Sequence, residues 1–335
     1  MAASRLGLRT HVFATEENSP AGQVADRVTV ARYGDRDAVL RFAESVDVAT
    51  FEFENIPTNI LDWVEDHCQV LPRRNALASS QDRLVEKDFI TSLGLRTAPY
   101  RNVESAAQLE AALEALGVPS ILKTRRFGYD GKGQVKLNNA SDASTAFSGL
   151  GRASCILEGF VDFSLEISVI ASRAGKGNVV CFDPGENVHR EGILHTTTVP
   201  ARISAAQRDE ALRAARVILD ALDYVGVMGI ELFVTDGGLV VNEIAPRVHN
   251  SGHWTQNGCV IDQFEQHIRA VAGWPLGSGA RNSDVVMTNL IGEDALLVEA
   301  LSEDPAIGLH IYGKAEVKAG RKMGHYNRIT GAAEK

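Results

Sequence analysis

Residues 224–256, YVGVMGIELFVTDGGLVVNEIAPRVHNSGHWTQ, decide how this chain is read. Two apolar, β-branched runs, 226–235 and 239–244, flank Asp236, Gly237 and Gly238, a pattern that predicts a β-hairpin. With those three residues as the loop, Thr235 faces Leu239 and Glu231 falls opposite Glu243. Like charges directly across an antiparallel pair destabilise it unless something neutralises them. A hard divalent cation does so, since Mg²⁺ is usually held by one or two carboxylates together with substrate phosphates. Asn242 adds another oxygen donor. A two-residue loop instead puts the glutamates on opposite faces, and a solvated hairpin leaves them as two surface acids. The hairpin alone leaves these readings open.

The surrounding composition is that of an ordinary globular protein. The 335 residues are 44% hydrophobic and 23% charged, enough for two or three domains with buried cores. A net charge of −9 makes nucleic acid an unexpected partner and any basic cluster a local feature aimed at small anions. Cys68, Cys155, Cys181 and Cys259 are scattered and form no CxxC pair, which argues against a zinc site or a disulfide framework and suits a reducing compartment. No apolar run has membrane-spanning length, and the first residues lack the apolar core of a signal peptide. A cytoplasmic protein with no membrane partner is expected.

Along the chain, short apolar runs alternate with helical stretches: strands at 9–14, 27–30, 48–53 and 69–71, helices at 35–45 and 59–67. That rhythm predicts βαβ units and a parallel sheet. A helix is expected over 80–93, closed by Gly94, and another after Ser105, which with Gln108 fits a capping box, ending at Gly117. Strands at 120–124, 135–137, 155–158 and 165–172 follow, with a helix near 142–150. Residues 204–222 form a long amphipathic helix before the hairpin. Beyond it come a helix at 260–272, strands at 285–291, 310–311 and 324–329, and a helix at 293–302.

Several clusters can carry chemistry. Lys123 ends an apolar strand just before a loop with Gly128, Gly131 and Gly133; such loops free backbone N–H groups to approach phosphate, and lysine adds a mobile charge. No GxxxxGK[ST] occurs, so this is not a P-loop. The glycines alone fit a plain hairpin turn, while the interleaved Arg125, Arg126 and Lys132 favour an anion cover. Glu158 leaves a strand into a linker, and Glu166 follows soon after, an arrangement open to adenine and ribose contacts. Arg247 and HNSGHW at 249–254 crowd polar side chains beside the paired carboxylates. Lys314, Lys318, Arg321 and Lys322 form a basic cluster that reads as a solvated face or a phosphate site.

FEFENIP at 51–57, QDRLVEK at 81–87, FGYDGKGQ at 127–134, NEIAPRVHNSGHWTQNG at 242–258 and GRKMGH at 320–325 together resemble the 5-(carboxyamino)imidazole ribonucleotide synthases, ATP-grasp ligases of purine biosynthesis. The resemblance runs in order over nearly the whole chain. It implies an α/β fold with an N-terminal parallel-sheet domain (1–94), a small α+β lid (95–161) and a C-terminal ATP-grasp domain (162–335) with a terminal subdomain from about 276. It also implies carboxylation of aminoimidazole ribonucleotide by bicarbonate and ATP through carboxyphosphate, and a homodimer. By the same resemblance Arg83, Lys123, Glu158, Val161, Glu166, His189 and Asn242 line the ATP site, and Glu231 and Glu243 hold Mg²⁺ or Mn²⁺. Tyr129, Asp130 and Lys132 reach the ribonucleotide; Lys314, Arg321 and Lys322 take its phosphate; Arg247, His249 and Asn250, with Lys123, handle bicarbonate and carboxyphosphate.

Members of that family open with a strand and a glycine-rich loop of the GGGQLGRM kind, and this sequence starts after that point. On the resemblance, the piece contributes a sheet strand and borders the ribonucleotide, so its absence weakens the N-terminal domain and ribonucleotide binding more than ATP binding. Two other readings remain in view: a different ATP-grasp ligase, such as a formate-using glycinamide ribonucleotide transformylase, and an inactive nucleotide-binding remnant.

Overall fold

A computed structural model describes residues 1–128 and 131–333. Near its start, after a short helix α1 (Ala2–Arg5), β1 (His11–Ala14) pairs in parallel with β2 (Arg27–Val30), and β3 (Val48–Ala49) pairs in parallel with β4 (Gln69–Val70). Helices α2 (Arg36–Ala43), with Asp35 capping its N-terminus, and α3 (Thr58–Glu65) join them. The expected single parallel sheet is thus two separate pairs, because no described strand hydrogen-bonds to both. They still share one core: Phe13 of β1 packs with Phe51, Leu61 and Val70. The strand expected over 48–53 stops at Ala49.

The helix expected over 80–93 is two helices, α4 (Arg74–Ser80) and α5 (Arg83–Ser92). The break falls where the Asp82 side chain accepts from the Leu84 N–H and starts a new helix. The next unit is a four-stranded antiparallel sheet of β5 (Tyr100–Val103), β6 (Ser120–Thr124), β7 (Gln134–Leu137) and β8 (Cys155–Gly159), ordered β5-β8-β6-β7. Helices α6 (Ala106–Leu116) and α7 (Ala143–Gly149) cover it, burying Leu109, Leu113 and Phe147 against Leu122 and Leu157. Ser105 caps α6 as expected, accepting from the Gln108 N–H, while the Gln108 side chain takes the Glu104 N–H.

A nine-stranded sheet forms the rest of the frame. Its strands are β9 (Leu165–Arg173), β10 (Val179–Cys181), β11 (Gly185–Arg190), β12 (Ile193–Val199), β13 (Gly226–Thr235), β14 (Gly238–Ala245), β15 (Ser283–Ile291), β16 (Ile307–Ile311) and β17 (Lys322–Ala332). The order β14-β13-β9-β11-β12-β15-β17-β16, with β10 also on β9, makes β14 an edge. Helix α8 (Ala205–Ala221), started by a Ser204–Gln207 capping box, buries Ala211, Ala215, Ile218 and Leu219 on the sheet. On the other face lie α9 (Thr255–Gly258) and α10 (Gln263–Val271), with Trp254 packed on Phe182 and Met287; α11 (Val298–Ser302) closes the end. Among the described residues no helix is long and apolar enough to cross a membrane.

Candidate active site

The β13–β14 hairpin turns through two residues, not three. Thr235 pairs with Gly238, which sits at φ +104° where a side chain would be strained, leaving Asp236 and Gly237 as the loop. By parity this separates the two glutamates. A bulge restores them: Leu232 faces Val241, the next pair is Glu231 with Glu243, and Asn242 is the extra residue. The two carboxylates therefore face each other by two one-residue shifts that cancel.

The edge strand bearing Glu243 is held from outside by α5. Lys87 donates to the Asn242 carbonyl at 2.8 Å, Glu86 accepts the Ile244 N–H at 2.7 Å, and the Arg96 carbonyl takes the Val241 N–H at 2.8 Å. Both side chains are buried within QDRLVEK, a stretch too polar to announce burial. They were not legible as site residues; a clue lay in their position one turn beyond Arg83, whose guanidinium meets Glu243 at 3.2 Å.

Charge is dense and mutually compensated. Lys123 contacts Glu158 at 2.9 Å, and Lys87 lies 3.8 Å from the same carboxylate. Burial alone lifts the Glu158 pKa, but Lys123 and Lys87 outweigh it and hold the carboxyl below its usual range. The second Glu158 oxygen is buried without a hydrogen-bond partner among the described residues. Burial, then Glu243, pushes Glu231 up to about 7. Burial also opposes ionisation of Glu243, yet Arg83 and Lys123 prevail and its pKa falls. Glu86, buried beside Glu243, rises to about 8. His189 forms an ion pair with Glu166, which raises its pKa against the effect of burial.

After the hairpin, Arg247 reaches back to Glu54 at 3.0 Å. His249 presses on Gly229, where an added Cβ would lie 2.6 Å from the His249 Cβ. Its Nε2 is 3.6 Å from Glu231, and burial with Arg247 and Lys322 nearby drives its pKa well below the ordinary value. The Asn250 amide forms a reciprocal pair with Asn289, at 2.9 and 2.7 Å, so it is oriented by the sheet. The glycine loop after Lys123 bends back over α5: Arg125 grips Asp82, Arg126 donates to Gln81 at 2.8 Å, and a Cβ added at Gly131 would lie 3.4 Å from the Gly192 Cα.

One cleft of about 3930 Å³ collects most of the expected residues. Arg83, Lys123, Lys132, Glu166, His189, Glu231, Asn242, Glu243, Arg247, His249, Asn250, Lys314 and Lys322 line it. Glu158 is tied to it through Lys123, and Val161 lies in the link between β8 and β9. Arg321 is off its wall, with Nη1 3.4 Å from the Glu316 carbonyl, whereas Lys314 and Lys322 are on it. Tyr129 and Asp130 lie outside the described residues. Two facing carboxylates with the Asn242 amide suit a hard cation that takes its other ligands from phosphate and water; among the described residues no cluster of three or more metal-ligating side chains occurs.

A four-stranded antiparallel sheet, a glycine loop and a carboxylate-bearing hairpin around one cleft are the arrangement of an ATP-grasp protein. Residues 88–264 match the ATP-grasp domain, 1–81 the ribonucleotide synthetase preATP-grasp domain and 285–335 the phosphoribosylaminoimidazole carboxylase C-terminal domain. The chain is 53% identical to the N5-carboxyaminoimidazole ribonucleotide synthase of Brucella melitensis, over 98% of this chain and 92% of that protein. It superposes with TM-score 0.95 on the ADP complex of an N5-carboxyaminoimidazole ribonucleotide synthetase, 43% identical, covering 98% and 88% of the two chains. With the Aspergillus clavatus N5-carboxyaminoimidazole synthase bound to ADP and 5-aminoimidazole ribonucleotide the TM-score is 0.92 at 30% identity, covering 98% and 89%. The chain belongs to the N5-carboxyaminoimidazole ribonucleotide synthase family.

Proposed function

We propose that this protein uses ATP to join bicarbonate to the amino group of 5-aminoimidazole ribonucleotide, giving the N5-carboxy product, ADP and phosphate. The observation that carries this reading is the convergence on one cleft of Arg83, Lys123 and the Glu231–Glu243 pair with Arg247 and His249, the latter 3.6 Å from Glu231. A formate-using transformylase shares the first group; the family match and the HNSGHW loop favour bicarbonate. Relatives crystallised with ADP, and one with 5-aminoimidazole ribonucleotide, support a cleft that takes both ligands.

In this account a bicarbonate oxygen attacks the γ-phosphorus, ADP leaves, and carboxyphosphate forms. Lys123 and Arg83 offset charge spreading over the transferred group, and Arg247 holds the carbonate end. Glu231 and Glu243, with Asn242, would hold Mg²⁺, which would supply neutralisation of phosphate charge there. The Arg125–Asp82 and Arg126–Gln81 contacts keep the glycine loop over the cleft and water away from a labile intermediate. The amine then attacks carbon, phosphate departs, and the amine proton is lost. Lys322 and Lys314 take the ribonucleotide phosphate, and Lys132 on the same cleft serves the rest of the ribonucleotide.

The test is ADP release with and without each substrate. Release that requires both bicarbonate and 5-aminoimidazole ribonucleotide, and is not supported by formate, is expected. Formate-dependent release would move the protein to the transformylase reading, and ATP binding without turnover to the remnant.

A further inference from the structure

We propose that Ser251, backed by Ser168, fixes His249 as the tautomer with its proton on Nε2, so that His249 serves the carbonate group as a hydrogen-bond donor and not as a base. The inference rests on the reading of the cleft as a bicarbonate site, and concerns how one of its residues is set.

The geometry at Nδ1 is decisive. Two groups of Ser251 meet this nitrogen: the hydroxyl at 2.8 Å and the backbone N–H at 3.4 Å. A hydroxyl can donate or accept, but a backbone N–H only donates. Nδ1 must therefore present a lone pair, and the ring proton sits on Nε2. The Ser251 hydroxyl has its own supply, because Ser168 Oγ lies 2.7 Å away. Both serines are buried, at 1% exposure each, so no water competes for these contacts. Ser168 stands opposite Glu231 in the β9–β13 register, which ties the relay to the carboxylate strand.

Turning the ring over would put Cδ2 in place of Nδ1 and lose both Ser251 contacts, and its packing holds it as it stands. His249 lies across Gly229, where even a Cβ would be 2.8 Å from the ring's Cγ, and its backbone N–H and carbonyl are both held by Gln263, at 2.9 and 2.7 Å. The Nδ1 edge thus faces the serine relay, and the Nε2 edge faces the cleft, 3.6 Å from Glu231. An Nε2 that already carries a proton cannot take one from bicarbonate or from the amine. It can donate to a carbonate oxygen while that oxygen is being phosphorylated. Ser251 and Ser168 are positioning residues acting through His249.

The test uses the full chain labelled with [¹⁵N]histidine, the His249 signals being assigned by their loss in His249→Gln. One ring nitrogen without a proton and one with a proton, the latter correlated as Nε2, is expected throughout pH 6–8. Ser251→Ala removes the hydroxyl at 2.8 Å and leaves Nδ1 only the longer backbone N–H contact at 3.4 Å, so the second tautomer should become detectable beside the first and the KM for bicarbonate should rise roughly 5- to 10-fold with the KM for ATP within about two-fold. Ser251→Thr should restore both, and Ser168→Ala should give the same changes more weakly. A wild-type proton on Nδ1, or a Ser251→Ala protein with unaltered signals or an unaltered bicarbonate KM, overturns the proposal. The spectra read the tautomer whether or not bicarbonate is the substrate, so failure of the wider reading shows separately, as ADP release that ignores bicarbonate.

Discussion

Replacing Glu231 with Gln should make the metal-free protein more stable in mild base. Burial and the facing Glu243 push the Glu231 pKa up from an ordinary 4.5 to about 7. A carboxyl whose pKa rises on folding binds its proton more tightly in the folded state. The stability this lends is complete below the unfolded value and is lost as pH climbs through about 7. At 1.36 kcal/mol per unit, ionising Glu231 in the fold costs up to about 3 kcal/mol at pH 8 and less than about 1 kcal/mol at pH 5. Glu243 shares the titration, so about 1–3 kcal/mol is the working figure at pH 8. Gln removes the charge while keeping the shape and the contact with Asn242. Thermal melting in a chelator is the assay. For a domain of 150–250 residues roughly 2–4 °C accompanies each kcal/mol, so the variant should melt roughly 2–12 °C above wild type at pH 8 and within a few degrees of it at pH 5. Equal melting at pH 8, or a less stable variant there, would refute the argument that these carboxylates repel one another.

Three further expectations follow from particular side chains. His267, with its pKa driven to about 4 by burial, accepts the Val227 N–H at Nδ1 and meets Thr50 through Nε2. Its neutral form stabilises the fold above about pH 6.5 and this is lost on acidification, about 2 kcal/mol by pH 5, so urea midpoints should fall between pH 7 and 5 and fall less in His267→Gln. Lys87→Met deprives the Asn242 carbonyl of its donor and Glu158 of a neighbour; a stability loss of roughly 1–3 kcal/mol with a raised KM for ATP is expected from melting and steady-state assays. Lys322→Ala should raise the KM for 5-aminoimidazole ribonucleotide about 10- to 150-fold, and Arg321→Ala much less, because only the former lines the cleft.

How far the sequence carries is clearest at the hairpin. The glutamate pair was legible, yet through a three-residue loop that does not form; a bulge at Asn242 supplies the missing residue, and nothing in LVVNEI distinguishes a bulged strand from a straight one. Helix α5 was legible in outline, but not the burial of Glu86 and Lys87, which depends on an edge strand more than 150 residues away. Strands β10, β11 and β12 went unread because CFDPGENVHREGILHTTTV mixes turn residues with short polar runs and lacks alternation. The basic cluster was legible as a cluster, whereas the division between Arg321 and Lys322 falls where β17 begins, with Lys322 its first residue and Arg321 outside it. Spacing finds which side chains come near one another; bulges and edges decide which way they point.

This cleft is expected to phosphorylate bicarbonate. If a bicarbonate oxygen attacks the γ-phosphorus, that oxygen must leave with phosphate when the amine takes the carbon. Turnover with [¹⁸O]bicarbonate, ATP and 5-aminoimidazole ribonucleotide, followed by mass analysis of the phosphate, reads this directly. One ¹⁸O atom in each phosphate formed is expected, and phosphate free of ¹⁸O while N5-carboxy product accumulates would contradict the account.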